Sequence, residues 1–234
     1  NCRKLSRYNY ISTCYVAGKR SGRIMESELE HDAGFRNYYE ESKYLAETEV
    51  EEIKDRFPIT IFRPSVVVGD SKTGETAKYD GIYYLINYLR KAPSLLRLVN
   101  VGNEKVRLNL VPVDFVVDGI AALAFDEAAA GKTIALADPG PLTTKELFDA
   151  IAEELTGRHS LLTPPASLVE LFLLSPISPP ITELPVSGVP YFFLDQTYDT
   201  GVADTLLSGH GIECPEFTDY VKKLIEFVKE HPKL

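Results

Sequence analysis

The run Ile59-Thr60-Ile61-Phe62-Arg63-Pro64-Ser65-Val66-Val67-Val68 narrows the available folds more than any other stretch of the chain. It is apolar and β-branched, as a buried parallel strand must be whatever the protein binds. Just upstream, Ala46, Val50, Ile53 and Phe57 recur at spacings of three and four, which predicts a helix through Lys43 with one apolar stripe toward a sheet, stopped by Pro58. Before that helix, Tyr8-Asn9-Tyr10-Ile11-Ser12-Thr13 reads as a strand of aromatic and β-branched residues, running into Cys14 to Gly18 where the glycine allows a turn. Strand, helix and strand in this order predict an α/β fold with a parallel sheet.

Downstream, Asp70 to Thr76 reads as a polar loop, and Gly81 to Leu89, with Tyr83, Tyr84 and Tyr88, as a helix packed on a core. Val113 to Phe125 has a helical period and Thr133 to Ala137 reads as a short strand; both are expected to return to the first sheet. Thr143-Thr144-Lys145-Glu146 has the form of a capping box, in which threonine and glutamate each satisfy one orphan N–H. Thr163 to Pro190 carries seven prolines around apolar runs, which predicts an irregular, loop-rich segment serving as a lid or substrate wall. After Pro215, the positions of Phe217, Tyr220, Val221, Leu224, Ile225 and Val228 predict a closing amphipathic helix.

The chain has 234 residues, 44% of them hydrophobic and 25% charged, enough for one large or two small domains with a sizeable core. A net charge of −9 disfavours nonspecific binding to nucleic acid or anionic lipid. Cys2, Cys14 and Cys214, like the four histidines, are scattered, so neither a zinc site nor a disulfide framework is expected, and a reducing cytoplasm is the simplest location. The apolar run Leu168 to Leu174 contains Glu170 and is far shorter than the ~20 residues of a membrane helix, so no membrane span is expected.

Tyr39-Glu40-Glu41-Ser42-Lys43 sets a phenol and an ammonium one helical turn apart. A free tyrosine titrates near 10, and a lysine at i+4 stabilises the phenolate, making proton exchange near neutral pH accessible. The same spacing also suits a half-buried tyrosine beside a solvated lysine. Thr13 stands near the carboxyl end of its strand, where open α/β sheets bind ligands, although Ser12 and Thr13 also fit ordinary turn chemistry. Cys14 beside it reads as a small apolar filler rather than a nucleophile.

Four segments in order now carry a resemblance: Tyr10 to Gly18; Tyr39 to Lys43 with Ala46-Glu47 after it; Ile61 to Asp70; and Asn109-Leu110-Val111-Pro112-Val113-Asp114-Phe115-Val116. Through them the chain resembles the extended short-chain dehydrogenase/reductase (epimerase/dehydratase) superfamily, in the branch of thioester reductases and fatty acyl-CoA reductases of male sterility type. The pattern Gly69-Asp70, Thr73-Gly74, Asp80-Gly81 is similar to that branch as well. The resemblance implies the C-terminal part of a Rossmann-like doubly wound parallel sheet with an interleaved, mostly helical substrate-binding region. Residues 1–69 and 108–140 would belong to the dinucleotide-binding part, and 70–107 and 141–234 to the substrate-binding part. It implies NADP or NAD as cofactor, with Thr13 holding a substrate carbonyl, Tyr39 exchanging the proton, and Lys43 lowering the phenol's pKa and gripping the nicotinamide ribose. Only Tyr39 fits the tyrosine slot, because Tyr38 has the uncharged Ser42 at i+4. Pro64, with the backbone of Ser65 and Val66, would shape the wall beside the nicotinamide.

The implied reaction is reduction of a carbonyl or thioester by hydride transfer. The implied partner is a small molecule, an acyl thioester or another lipid-like compound, and a homodimer through the Tyr39 helix is left open. Two alternatives stay open: a nucleotide-sugar epimerase/dehydratase or sterol-type dehydrogenase, and a noncatalytic fragment. The family's Gly-rich βαβ turn has no counterpart here: Gly18 with Gly22, and Gly209 with Gly211, lack the G-x-G-x-x-G spacing. Asn1 to Arg7 reads as the end of a preceding helix, and the chain alone is expected to bind a dinucleotide poorly.

Overall fold

In the computed structural model, which describes residues 4–91, 99–100, 102–182 and 186–232, the chain begins with β1 (Tyr8–Ile11), a 3-10 turn (Cys14–Ala17), β2 (Gly22–Ile24), α1 (Tyr38–Glu51), β3 (Ile59–Pro64), β4 (Val66–Val68) and α2 (Ile82–Lys91). It continues with β5 (Leu110–Pro112), α3 (Val113–Leu123), β6 (Thr133–Leu136), α4 (Thr144–Thr156), α5 (Ala166–Leu173), α6 (Ser178–Thr182), β7 (Gln196–Tyr198), α7 (Gly201–Ser208) and α8 (Phe217–Glu230). These elements fall into two units, one of Asn1–Val67, Asn109–Pro139 and Gln196–Cys214, the other of Val68–Leu108, Gly140–Asp195 and Pro215–Leu234.

In the first unit, β3 lies between β1 and β6 in a parallel sheet, with Tyr8 opposite Ile59, Ile11 opposite Phe62, and Pro64 opposite Leu136. Every residue of β3 is buried. Successive side chains point to opposite faces, and the packing follows. Ile59 and Ile61 cluster with Val50 and Ile53 from the α1 side, whereas Phe62 clusters with Phe115, Val116 and Leu123 of α3 and with Ala203 and Leu207 of α7. Helices therefore cover both faces, the condition that a continuous apolar strand requires. Two smaller ladders, β2 with β7 and β4 with β5, complete the unit.

The second unit is mostly helical. Its α4 carries the expected capping box, with the Thr143 side chain accepting from the Glu146 N–H and the Glu146 carboxylate accepting from the Thr143 N–H. In α8 the residues Phe217, Tyr220, Val221, Leu224, Ile225 and Val228 form the buried stripe.

Four expectations are corrected. The helix of Lys43 ends at Glu51 rather than reaching Phe57, and Lys54–Arg56 form a 3-10 turn. Glu49, Glu51 and Glu52 crowd its C-terminal end, where the helix dipole disfavours negative charge. Its buried residues are Glu40, Glu47 and Val50, while Ala46 is exposed, so the stripe toward the sheet is not purely apolar. Of the proline-rich segment, residues 183–185 lie outside the described residues, and the described part is largely helical rather than loop-rich. Pro165 directly precedes α5, and Pro179 and Pro180 lie in the first turn of α6, where a missing N–H breaks no helical bond. Residues 196–214 belong with the first unit, because β7 pairs with β2 and α7 packs into the core beneath Phe62. Of the helix end expected at Asn1 to Arg7, residues 1–3 lie outside the described residues, and Lys4 to Arg7 form a turn and irregular chain.

Candidate active site

The strand β1 delivers Ser12, Thr13 and Cys14 alongside the end of β3, and the two segments are joined residue by residue. The Ser12 N–H donates to Phe62 O at 2.7 Å, the Cys14 thiol to Arg63 O at 3.1 Å, and the Thr13 hydroxyl to Pro64 O at 3.4 Å. Thr13 also accepts from the Tyr15 N–H at 3.2 Å, which starts the 3-10 turn. Gly18 closes this turn at φ 57°, and a Cβ there would stand 2.4 Å from Gly34 O, so glycine is required.

Tyr39 enters on α1. Asn37 caps this helix by accepting from the Glu40 N–H at 3.0 Å, and the Glu40 carboxylate accepts from the Arg36 N–H at 2.9 Å. Tyr39 lies in the first turn and is 53% exposed, so its ring is not sealed in the core. One turn on, Lys43 Nζ donates to Ile11 O at 3.0 Å and lies 5.7 Å from the centre of the Tyr10 ring. Tyr39 is close enough to help push the Tyr10 phenol upward, behind burial and the charges of Glu47 and Tyr8. Thus Lys43 is tied to the strand leading to Thr13. No hydrogen bond joins Thr13 to Tyr39 among the described residues.

At the end of β3, the Ser65 N–H donates to Leu136 O at 3.0 Å and the Val66 N–H to Asn109 O at 3.2 Å. The Ser65 hydroxyl is buried and has no hydrogen-bond partner among the described residues, a costly state for a polar group. An ammonium has three donors, and Ile11 O takes one from Lys43. Those available donors, beside a half-exposed phenol, fit the ribose and carboxamide end of a nicotinamide. Among the described residues no Gly-rich turn follows a strand and opens a helix.

Three buried charges escaped the sequence reading. The Glu47 side chain is 0% exposed and accepts from Ser12 Oγ and from Arg63 Nε at 2.8 Å. Arg63, 4% exposed, also donates from Nη1 to Glu26 O and Glu28 O at 3.1 and 2.9 Å. The Glu26 carboxylate accepts from the N–H groups of Ala135, Val202 and Ala203 at 2.8, 2.6 and 3.2 Å. For Glu47 there was a signal: it follows Tyr39 and Lys43 by eight and four residues, on the same side of one helix. Cys14 is fully buried, and desolvation pushes its thiol far up, as an inert filler requires. A separate cavity of about 670 Å³, lined by Arg20, Glu28, Glu30, Glu51 and Glu52 among others, touches none of the candidate site residues.

A parallel sheet covered by helices on both faces, with polar residues gathered at the carboxyl ends of its strands, is the Rossmann-like arrangement. Residues 1–120, just over half the chain, match the family model described as male sterility protein, a family of NAD-binding domains, and the chain belongs to this family. Among curated proteins, it is 28% identical over 137 residues to a fatty acyl-CoA reductase of Drosophila melanogaster, covering 55% of this chain and 26% of that protein. It is 36% identical over 98 residues to a non-canonical nonribosomal peptide synthetase of Aspergillus campestris, covering 41% of this chain and 9% of that protein. Among solved structures, the terminal R domain of the myxalamid PKS-NRPS pathway aligns over 100% of this chain and 60% of its own, with TM-score 0.78 and 23% identity. A thiolation-reductase di-domain of an archaeal non-ribosomal peptide synthetase aligns over 97% and 49%, with TM-score 0.71 and 18% identity. The chain thus spans about a quarter or less of these curated relatives. No helix among the described residues is long and apolar enough to cross a membrane.

Proposed function

We propose that this chain carries the proton-transfer residues of an NAD(P)-dependent reductase that acts on an acyl thioester or a related carbonyl compound. One observation carries the reading: the Lys43–Ile11 hydrogen bond at 3.0 Å holds the helix of Tyr39 against the strand leading to Thr13. Similarity to a fatty acyl-CoA reductase and to a thiolation-reductase di-domain supports the substrate class.

A bound reduced nicotinamide would supply the hydride. As hydride adds to the substrate carbon, negative charge gathers on its oxygen and Tyr39 delivers a proton there. From a thioester, the resulting hemithioacetal then breaks its C–S bond and releases the thiol to leave the aldehyde. Thr13 stabilises the same oxygen. Its present bond to Pro64 O, at 3.4 Å, is long and weak, so the hydroxyl can turn to a stronger acceptor at little cost. Lys43 keeps the local potential positive and would hold ribose hydroxyls with its remaining donors. Ser65, whose hydroxyl has no partner among the described residues, would form the wall beside the ring with Pro64 and Val66. Donors aimed where charge develops act mainly on the transition state.

The test is a panel of acyl thioesters, aldehydes and nucleotide-sugars assayed with NADPH and with NADH in the full-length protein. Stoichiometric cofactor oxidation with aldehyde or alcohol formed from a thioester supports the reductase. Turnover of a nucleotide-sugar without net cofactor consumption would replace it by the epimerase reading.

A further inference from the structure

Glu47 lies in the core of the first unit, with no exposed side-chain surface, and joins the three segments that bear the candidate site. Through Oε2 it holds Ser12, the neighbour of Thr13. Through Oε1 it holds Arg63, the neighbour of Pro64. Through its own backbone it belongs to α1, four residues after Lys43 and eight after Tyr39. Every donor-bearing nitrogen of Arg63 is engaged: Nε and Nη2 by Glu47, and Nη1 by Glu26 O and Glu28 O.

A buried carboxylate–guanidinium pair is a poor device for stability, because desolvation of two charges offsets their attraction, and well-packed apolar residues often do as well. What such a pair does supply is register. A slip of one residue along α1 would move Tyr39 by about 1.5 Å and rotate it by about 100°, and it would take the carboxylate away from both partners.

We propose that Glu47, acting through Ser12 and Arg63, is a positioning residue that fixes the Tyr39 phenol relative to the Thr13 hydroxyl. The proposal rests on the reading of Thr13, Tyr39 and Lys43 given above. Misplacement of a reacting group by about 1 Å can cost about a hundredfold in rate, so the network acts most strongly on turnover and less on cofactor affinity, through Lys43 on the same helix.

The experiment compares Glu47→Leu/Arg63→Met and Ser12→Ala with the wild type and with Tyr39→Phe, in the full-length protein. Melting temperature, kcat, KM and cofactor affinity are read for each. The double variant removes both charges at nearly constant volume but leaves the Ser12 hydroxyl and the Glu26 and Glu28 carbonyls without these partners. It is therefore expected to fold with a lowered melting temperature, with kcat reduced ten- to hundredfold and cofactor affinity changed less than kcat. Ser12→Ala removes only the strand branch, leaves one buried Glu47 oxygen without this donor, and is expected to lower the melting temperature modestly and kcat severalfold, which decides the matter should the double variant fail to fold. Wild-type kcat in a folded double variant, or in Ser12→Ala, overturns the proposal. If Tyr39→Phe keeps wild-type turnover, the underlying catalytic reading has failed instead; an inactive Tyr39→Phe beside fully active network variants rejects the positioning role alone.

Discussion

Lys43 Nζ donates to the carbonyl oxygen of Ile11 at 3.0 Å, so the helix of the candidate proton donor is bonded to the strand that ends beside Thr13. Lys43→Met keeps the length of the stem but removes this bond and the positive charge. Charge-assisted hydrogen bonds contribute about 1.5–3 kcal/mol, so kcat/KM for the cofactor should fall about ten- to hundredfold while the fold persists. Steady-state kinetics with varied NADPH, together with circular dichroism, would show this. Unchanged kinetics would leave Lys43 as a structural tether only.

Burial governs the two cysteines that the structure describes. Desolvation pushes the Cys14 thiol far above its ordinary value and pushes Cys214 up to about 12, so neither carries appreciable thiolate at neutral pH. Iodoacetamide should leave Cys14 unlabelled and modify Cys214 slowly in the native protein, with both labelled quickly in urea. Peptide mass spectrometry reads each site, and rapid native labelling of Cys14 would revive the nucleophile that its position beside Thr13 suggests.

The capping box of α4 gives a pH-dependent signature. Hydrogen bonds from the Thr143 N–H and hydroxyl, in that order, hold the Glu146 carboxyl below its ordinary value of 4.5. Because the folded value is depressed, this contribution is fully present above the unfolded value and is lost as pH falls through the folded one. Urea midpoints of the wild type should therefore drop more steeply than those of Glu146→Gln in acid, and parallel slopes would contradict the assignment. Thr143→Ala should cost about 1 kcal/mol at neutral pH.

Glu26 satisfies the N–H of Ala135 on β6 and of Val202 and Ala203 in the first turn of α7. Glu26→Ala leaves buried backbone donors without partners, each worth about 1–3 kcal/mol. With three such donors a loss of at least about 3 kcal/mol in urea unfolding is expected, and a loss within experimental error would mean that water replaces the carboxylate freely.

Much of this architecture was legible in the chain because it depends on short-range pattern. The run from Ile59 gave β3, the Thr143–Glu146 spacing gave the cap of α4, and the stripe from Phe217 gave α8. Three-residue strands such as β2 and β7 carry too little period to be read, and their pairing spans most of the sequence. On α1 the apolar spacing of Ala46, Val50, Ile53 and Phe57 misled, because the helix buries Glu40 and Glu47. A buried glutamate is recognisable only through its partners, and Ser12 and Arg63 lie far from Glu47 in sequence. The candidate site was read from Thr13, Tyr39 and Lys43, whereas the network behind it required coordinates.

The most direct test of the catalytic account is Tyr39→Phe in the full-length protein, assayed for NADPH-dependent reduction of an acyl thioester beside its melting curve. Because Tyr39 is 53% exposed, losing its hydroxyl should leave the melting temperature unchanged, and turnover should fall by about 10²–10³ or more. Turnover at the wild-type rate in that variant would contradict the assignment of Tyr39 as the proton donor.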